Sequence, residues 1–205
     1  MVALPKKPKP PQPEPPPEGE APPPADAAGA DPAAPGEGSP PPPPPPPNYL
    51  EVARSAQTVI IRVVGLGNMK VAMGLMDFTA EMLRTGYRQF IFDLSACKGL
   101  DSTFMGAMVG LAAAAQEDGG SAAVVNASTD TAELLQIVGA DKFLKLAGPY
   151  AMEDLETERL EPPPPGPERR LELVRKAHQN LVVIDQRNEA RFGAFLRQLS
   201  KELAK

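Results

Sequence analysis

The chain is poor in the side chains that carry redox, metal and acid–base chemistry. Its 205 residues include one cysteine, Cys97, and one histidine, His178. A lone cysteine excludes a disulfide framework and a thiolate metal cluster, and it fits a reducing, cytoplasmic setting. A lone histidine leaves too little material for a His-based metal site or a catalytic triad. No apolar run is long enough to cross a bilayer. The opening MVALPKKPKPP carries lysines but no apolar core, so it does not read as a secretory signal. Gly65-Leu66-Gly67 lacks the third glycine of a dinucleotide fingerprint. The expectation is a protein that works without metal or cofactor.

Proline is what the chain has in excess. Of 27 prolines, 21 fall in residues 1–48, a low-complexity arm that cannot bury enough apolar surface to offset its ordering entropy. Pro40–Pro47 is a stiff polyproline run of roughly 25 Å, read here as a spacer. Residues 49–158 then have the length of one ordinary domain. Glu161–Pro167, EPPPPGP, is a second linker within 159–167, and residues 168–205 follow it. Formal charge is −3 in the arm, −6 over residues 49–167 and +4 over residues 168–205. An acidic domain argues against a nucleic-acid partner, and the basic tail permits attraction to the domain or to another anionic surface.

Within the domain, strand and helix signals alternate. Tyr49–Ala53 and Thr58–Val64 read as strands joined by a short turn, hence antiparallel. Asn68 reads as the N-cap of a helix over Met69–Thr85, with Val71, Leu75, Phe78 and Met82 on its apolar face and Gly86 at its end. Phe90–Leu94 is a buried strand, broken by Ser95–Gly99. A helix follows over Phe104–Gln116, whose Gly106, Gly110 and Ala112–Ala115 would let it lie close to a sheet. Ala122–Val125 is a strand, Ser128–Asp130 starts another helix, Gly139 ends it, and Lys142–Leu146 is a last strand. The order β-β-α-β-α-β-α-β predicts an α/β layer of about five strands, the later ones largely parallel.

Asp101-Ser102-Thr103 is the stretch with most chemical content. It stands at the carboxyl end of a strand and the start of a helix, where ligands gather in open α/β sheets. A hydroxyl there lies near the positive end of a helix dipole, and a phosphoryl group on it would bring about −1.5 to −2 charges. Such a triplet is also an ordinary helix cap. Cys97 lies beside the same loop, but no histidine stands in the domain to activate it, so an enzyme is not expected.

The segment FIFDLSACKGLDSTFMG, the GG turn, the strand AAVVN and AELLQIVGADKFLKL together resemble a STAS domain of the kind found in bacterial anti-sigma factor antagonists. The likeness spans about residues 49–155. It implies a non-enzymatic regulator that binds an anti-sigma factor with serine-kinase activity. It implies Ser102 as the phospho-acceptor, with Thr103 the second choice, and a docking surface of Asn68, Asp101, Ser102, Thr103 and Phe104. Two positions depart from the family pattern. Asn68 stands where the family has Asp, so that charge is gone, and Phe104 stands where the family has Gly. Without phosphorylation, the same domain would be a constitutive scaffold, including in a membrane-transport complex.

Residues 168–205 read as one long basic helix. Leu171, Val174, His178, Leu181, Asp185, Asn188, Phe192, Phe195 and Leu199 recur in steps of three and four, the seam of a coiled coil. Association with a partner or with a second copy through that seam is the first expectation. Docking on the chain's own domain is the second, and binding an anionic membrane through Arg169, Arg170, Arg175 and Lys176 the third.

Overall fold

The computed structural model describes residues 48–150, 156–160 and 166–204. The chain divides into Met1–Pro43 and Pro44–Lys205, and every described residue belongs to the second unit. The proline arm, including Pro40–Pro47, and linker residues 161–165 lie outside the described residues.

Two β-rich runs start the fold. β1 (Tyr49–Ser55) and β2 (Thr58–Gly67) form an antiparallel hairpin, as the short turn dictates, with Ala56 at φ 50°. β3 (Gln89–Asp93) then lies parallel to β2, β5 (Ser121–Val125) parallel to β3, and β6 (Leu144–Leu146) parallel to β5. Helices make these crossovers: α1 (Met69–Arg84), α2 (Ser102–Glu117) and α3 (Thr129–Ile137). A 3-10 turn at Ala140–Lys142 takes the start of the segment expected to be the last strand.

The register explains the core. Val59 pairs with Phe90, Ile61 with Phe92, Phe90 with Ala122 and Phe92 with Val124. All of these side chains are buried on one face of the sheet. A one-residue slip would turn the whole set outward, so this pattern fixes the pairing. The other face carries a charged row: Arg62 donates to Asp93 at 2.8 Å and to Glu51 at 3.4 Å across neighbouring strands.

The sheet has seven strands rather than about five, in the order β6-β5-β3-β2-β1-β7, with β4 beside the end of β2. β4 (Cys97–Leu100) lies where a break was expected. Its residues have weak strand preference, and what makes them a strand is parallel pairing with Gly65–Gly67. β7 (Glu158–Leu160) extends the sheet at β1, secured by an Arg54–Glu158 ion pair and by Arg159 stacked over Tyr49.

The single long C-terminal helix is corrected to two: α4 (Pro167–Ile184) and α5 (Arg187–Leu203). Asp185 makes the break. Its backbone is extended, and its carboxylate accepts from the Arg187 backbone N–H at 3.0 Å, which starts α5. The Arg187 side chain and Lys142 bind the same carboxylate and hold its pKa well below the usual range. A seam that ran through a continuous helix is therefore interrupted at one of its own polar positions.

α4 lies on α2, and α5 packs on α4. This revises the role of the small residues in α2. A Cβ on Gly106 would collide with the Ala177 backbone, and one on Gly110 with the Asn180 side chain. These glycines admit α4 rather than bringing α2 onto the sheet. α2 thus has a neighbour on both sides, which is why Thr103, Phe104, Met105, Ala107, Met108, Val109 and Leu111 are all buried.

Candidate functional site

The site is built where α1 and α2 begin, beyond the ends of β2 and β4. Asn68 caps α1, its side chain accepting from the Lys70 N–H at 3.0 Å. Asp101 caps α2, with Oδ1 accepting from the Phe104 N–H at 2.8 Å. Its Oδ2 accepts from the Met69 N–H, also at 2.8 Å. One carboxylate therefore serves two helix starts and ties them together. A helix start needs such acceptors because its first N–H groups have no partner within the helix.

Ser102 is the first residue of α2 and is half-buried. Its hydroxyl lies 2.9 Å from His178 Nε2 on α4. His178 Nδ1 lies 2.8 Å from the Val174 carbonyl oxygen. A carbonyl only accepts, so Nδ1 carries a proton and donates to it; in the neutral ring Nε2 accepts from the Ser102 hydroxyl. Phe192 and Phe195 of α5 stand edge-on to the His178 ring, with centroids 4.9 and 5.1 Å away. His178 is 5 % exposed.

The five residues expected to form a surface divide. Asn68, Asp101 and Ser102 are partly exposed around the two helix starts. Thr103 is buried, and Phe104 is wholly so, its ring where a side chain on Gly67 would stand. Phe104 belongs to the core and covers nothing at the surface. The residue that covers Ser102 is His178, assigned by sequence pattern to a coiled-coil seam. Its 76-residue distance from Ser102 in the chain hides the pairing. The one available signal was the Gly106–Gly110 spacing, which marks a helix approached closely by another.

Cys97 is half-buried, with its thiol 3.4 Å from the Gly99 carbonyl oxygen. Burial pushes its pKa up, away from the thiolate a nucleophile needs. No group of three or more His, Cys, Asp or Glu is placed to hold a metal among the described residues. No described helix is long and apolar enough to cross a membrane.

Residues 50–147 match the family model described as "Mlab, STAS domain". The seven-stranded, mostly parallel sheet alternating with helices agrees with that match.

Residues 50–147 form a STAS domain.

No match was found among the curated proteins. Solved structures similar to the STAS domain include the Thermotoga maritima protein TM1081, at 20% identity over 48% of this chain and 79% of that one, TM-score 0.43. The anti-sigma factor antagonist SpoIIAA in its unphosphorylated form is similar at 17% identity, covering 48% and 87%, TM-score 0.41. The Bacillus cell fate determinant SpoIIAA in its phosphorylated form is similar at 17% identity, covering 48% and 90%, TM-score 0.42. The family match ends at residue 147, so α4 and α5 lie outside the STAS domain.

Proposed function

We propose that this protein is a non-enzymatic regulator that binds a protein partner through the face around Asn68, Asp101 and Ser102. The partner is of the anti-sigma factor, serine-kinase type, and a phosphoryl group on Ser102 releases it. The observation that carries this reading is the position of Ser102 next to a carboxylate already in use. Asp101 takes up the Phe104 and Met69 N–H groups. A phosphoryl group on Ser102 would find those donors occupied and a negative charge beside it. It would act as a wedge rather than a seated anion, which suits release.

The Ser102–His178 pair does not argue for a hydrolase. His178 orients through a backbone carbonyl four residues back in its own helix, and two phenylalanine rings close around it. That is how a buried polar ring satisfies its donors and acceptors. The test is mass spectrometry of the protein taken from its own cells across growth phases. A phosphoryl group on the Ser102 peptide is expected; its absence throughout removes the switch.

A constitutive scaffold, including one in a membrane-transport complex, is the second reading. It is favoured by the engagement of the Ser102 hydroxyl with His178 and by the uncharged Asn68. If Ser102→Asp leaves partner capture unchanged, the scaffold stands and the switch falls.

A further inference from the structure

The α4–α5 hairpin covers Ser102, one part of the face that the proposed function needs open. It is joined to the STAS domain by polar tethers at scattered points. His178 meets Ser102 at 2.9 Å, and Asn180 donates to the Gly106 carbonyl at 3.0 Å. Asn188 donates to the Val138 carbonyl at 2.8 Å, and Arg191 to the Ile137 carbonyl at 3.0 Å. Lys142 pairs with Asp185 at 3.0 Å, and Arg169 pairs with Asp77. Apolar contacts join it too: Leu173 and Leu181 of α4 belong to the main core, Val174 is buried, and Ile184 and Phe192 pack against that core.

The hairpin also carries unpaired polar atoms. Among the described residues, the buried side-chain polar atoms without a hydrogen-bond partner are Arg175 Nε and Asn188 Oδ1. Both belong to the hairpin. A buried polar atom left unpaired loses its hydration and gains nothing back, so undocking, which returns Asn188 to water, recovers that loss. The strands beneath have no such atom among the described residues.

We propose that the α4–α5 hairpin is a reversible cover, an autoinhibitory contact. Docked, it holds the Ser102 hydroxyl against His178 beneath the Phe192 and Phe195 rings. Undocked, it frees that hydroxyl together with the α2 surface at Gly106 and Gly110. Covalent attachment keeps the hairpin at high effective concentration, so a partner or modifying enzyme gains access only in the open fraction. This rests on the reading of Ser102 as the residue that must be reached.

Two measurements on the full chain test it. The first is native-state hydrogen exchange. Amides of α4 and α5 are expected to exchange at least about ten-fold faster than those of β2 and β3, with a denaturant dependence that is clear but smaller than that of β2 and β3, because opening exposes less surface than global unfolding. The second uses Ser102→Cys in a Cys97→Ser background and follows thiol labelling with a maleimide. Labelling is expected to be slow and to match the opening rate of the hairpin. Adding Gly106→Val, whose side chain meets the Ala177 backbone, should speed it about ten-fold or more. Where Gly106→Val fails to fold, Asn180→Ala removes a tether without adding bulk and should speed labelling in the same direction. Hairpin amides that exchange only together with β2 and β3 would overturn the cover. So would a thiol that reacts at the rate of an exposed one, with no dependence on either variant. Neither measurement contains a kinase or nucleotide. Failure here removes the cover alone, and an unmodified Ser102 peptide removes the phospho-acceptor alone.

Discussion

Asp93 ends β3 with a carboxylate that is 0 % exposed. Burial pushes its pKa up, but hydrogen bonds from Asn126, Arg62 and Ser95 outweigh it, and the net shift is down. A carboxylate with a lowered folded pKa stabilises the fold above its unfolded pKa and loses that contribution as pH falls through the folded value. Urea denaturation should therefore show stability falling below about pH 4, with Asp93→Asn flattening that fall. At neutral pH Asp93→Asn should cost about 2 kcal/mol, because Arg62 keeps its charge and loses its nearest partner. Equal acid sensitivity in both proteins would refute this. Phe104 makes a different point. Phe104→Ala should cost about 3–5 kcal/mol in the same experiment, since its ring is fully buried. A near-neutral result would mean that the ring faces solvent and belongs to the docking surface after all.

At the level of elements, the join between α1 and α2 depends on one side chain. Asp101 accepts from both helix starts, while Asn68 accepts from one. Asn68→Ala should cost about 1 kcal/mol, an ordinary cap loss. Asp101→Ala should cost about 2 kcal/mol, because the first N–H groups of two helices lose their acceptor. Chemical denaturation separates the two, and equal losses would show that the bond to Met69 contributes nothing. The caps were legible in the sequence because short polar side chains before an apolar run are a local signal. β4 and β7 were not. Their residues have no strand pattern of their own and become strands by pairing with β2 and β1.

At the level of the molecule, the STAS domain and the hairpin differ in how they hold together. The domain has an interlocked apolar core from β1 to β6; the hairpin joins it through Leu173 and Leu181 and adds many polar tethers. Leu181→Ala, which empties the fully buried anchor nearest the break at Asp185, should release the hairpin before it affects the sheet. Exchange of α4 and α5 amides should rise while β2 and β3 hold their protection. Uniform loss of protection in all of them would instead make the hairpin part of one cooperative unit. The basic charge of this segment finds acidic groups within the chain, as Arg169 does with Asp77. That pair is exposed and adds little by itself; position comes from the small residues of α2.

Local information in the sequence determined the alternating strands and helices, the hairpin of β1 and β2, the caps Asn68 and Asp101, and the place of Ser102 at a helix start. Periodicity and capping act within a few residues, so a single chain displays them. The seam of residues 171–199 was equally visible, but what it faces was not. An apolar stripe specifies that something covers it and leaves open whether the cover is another copy, a membrane or the chain itself. Only the tertiary structure decided that α4 lies on α2 and brings His178 to Ser102. The physical reason is that the fit depends on two glycines meeting Ala177 and Asn180, a match of shapes between surfaces far apart in the chain.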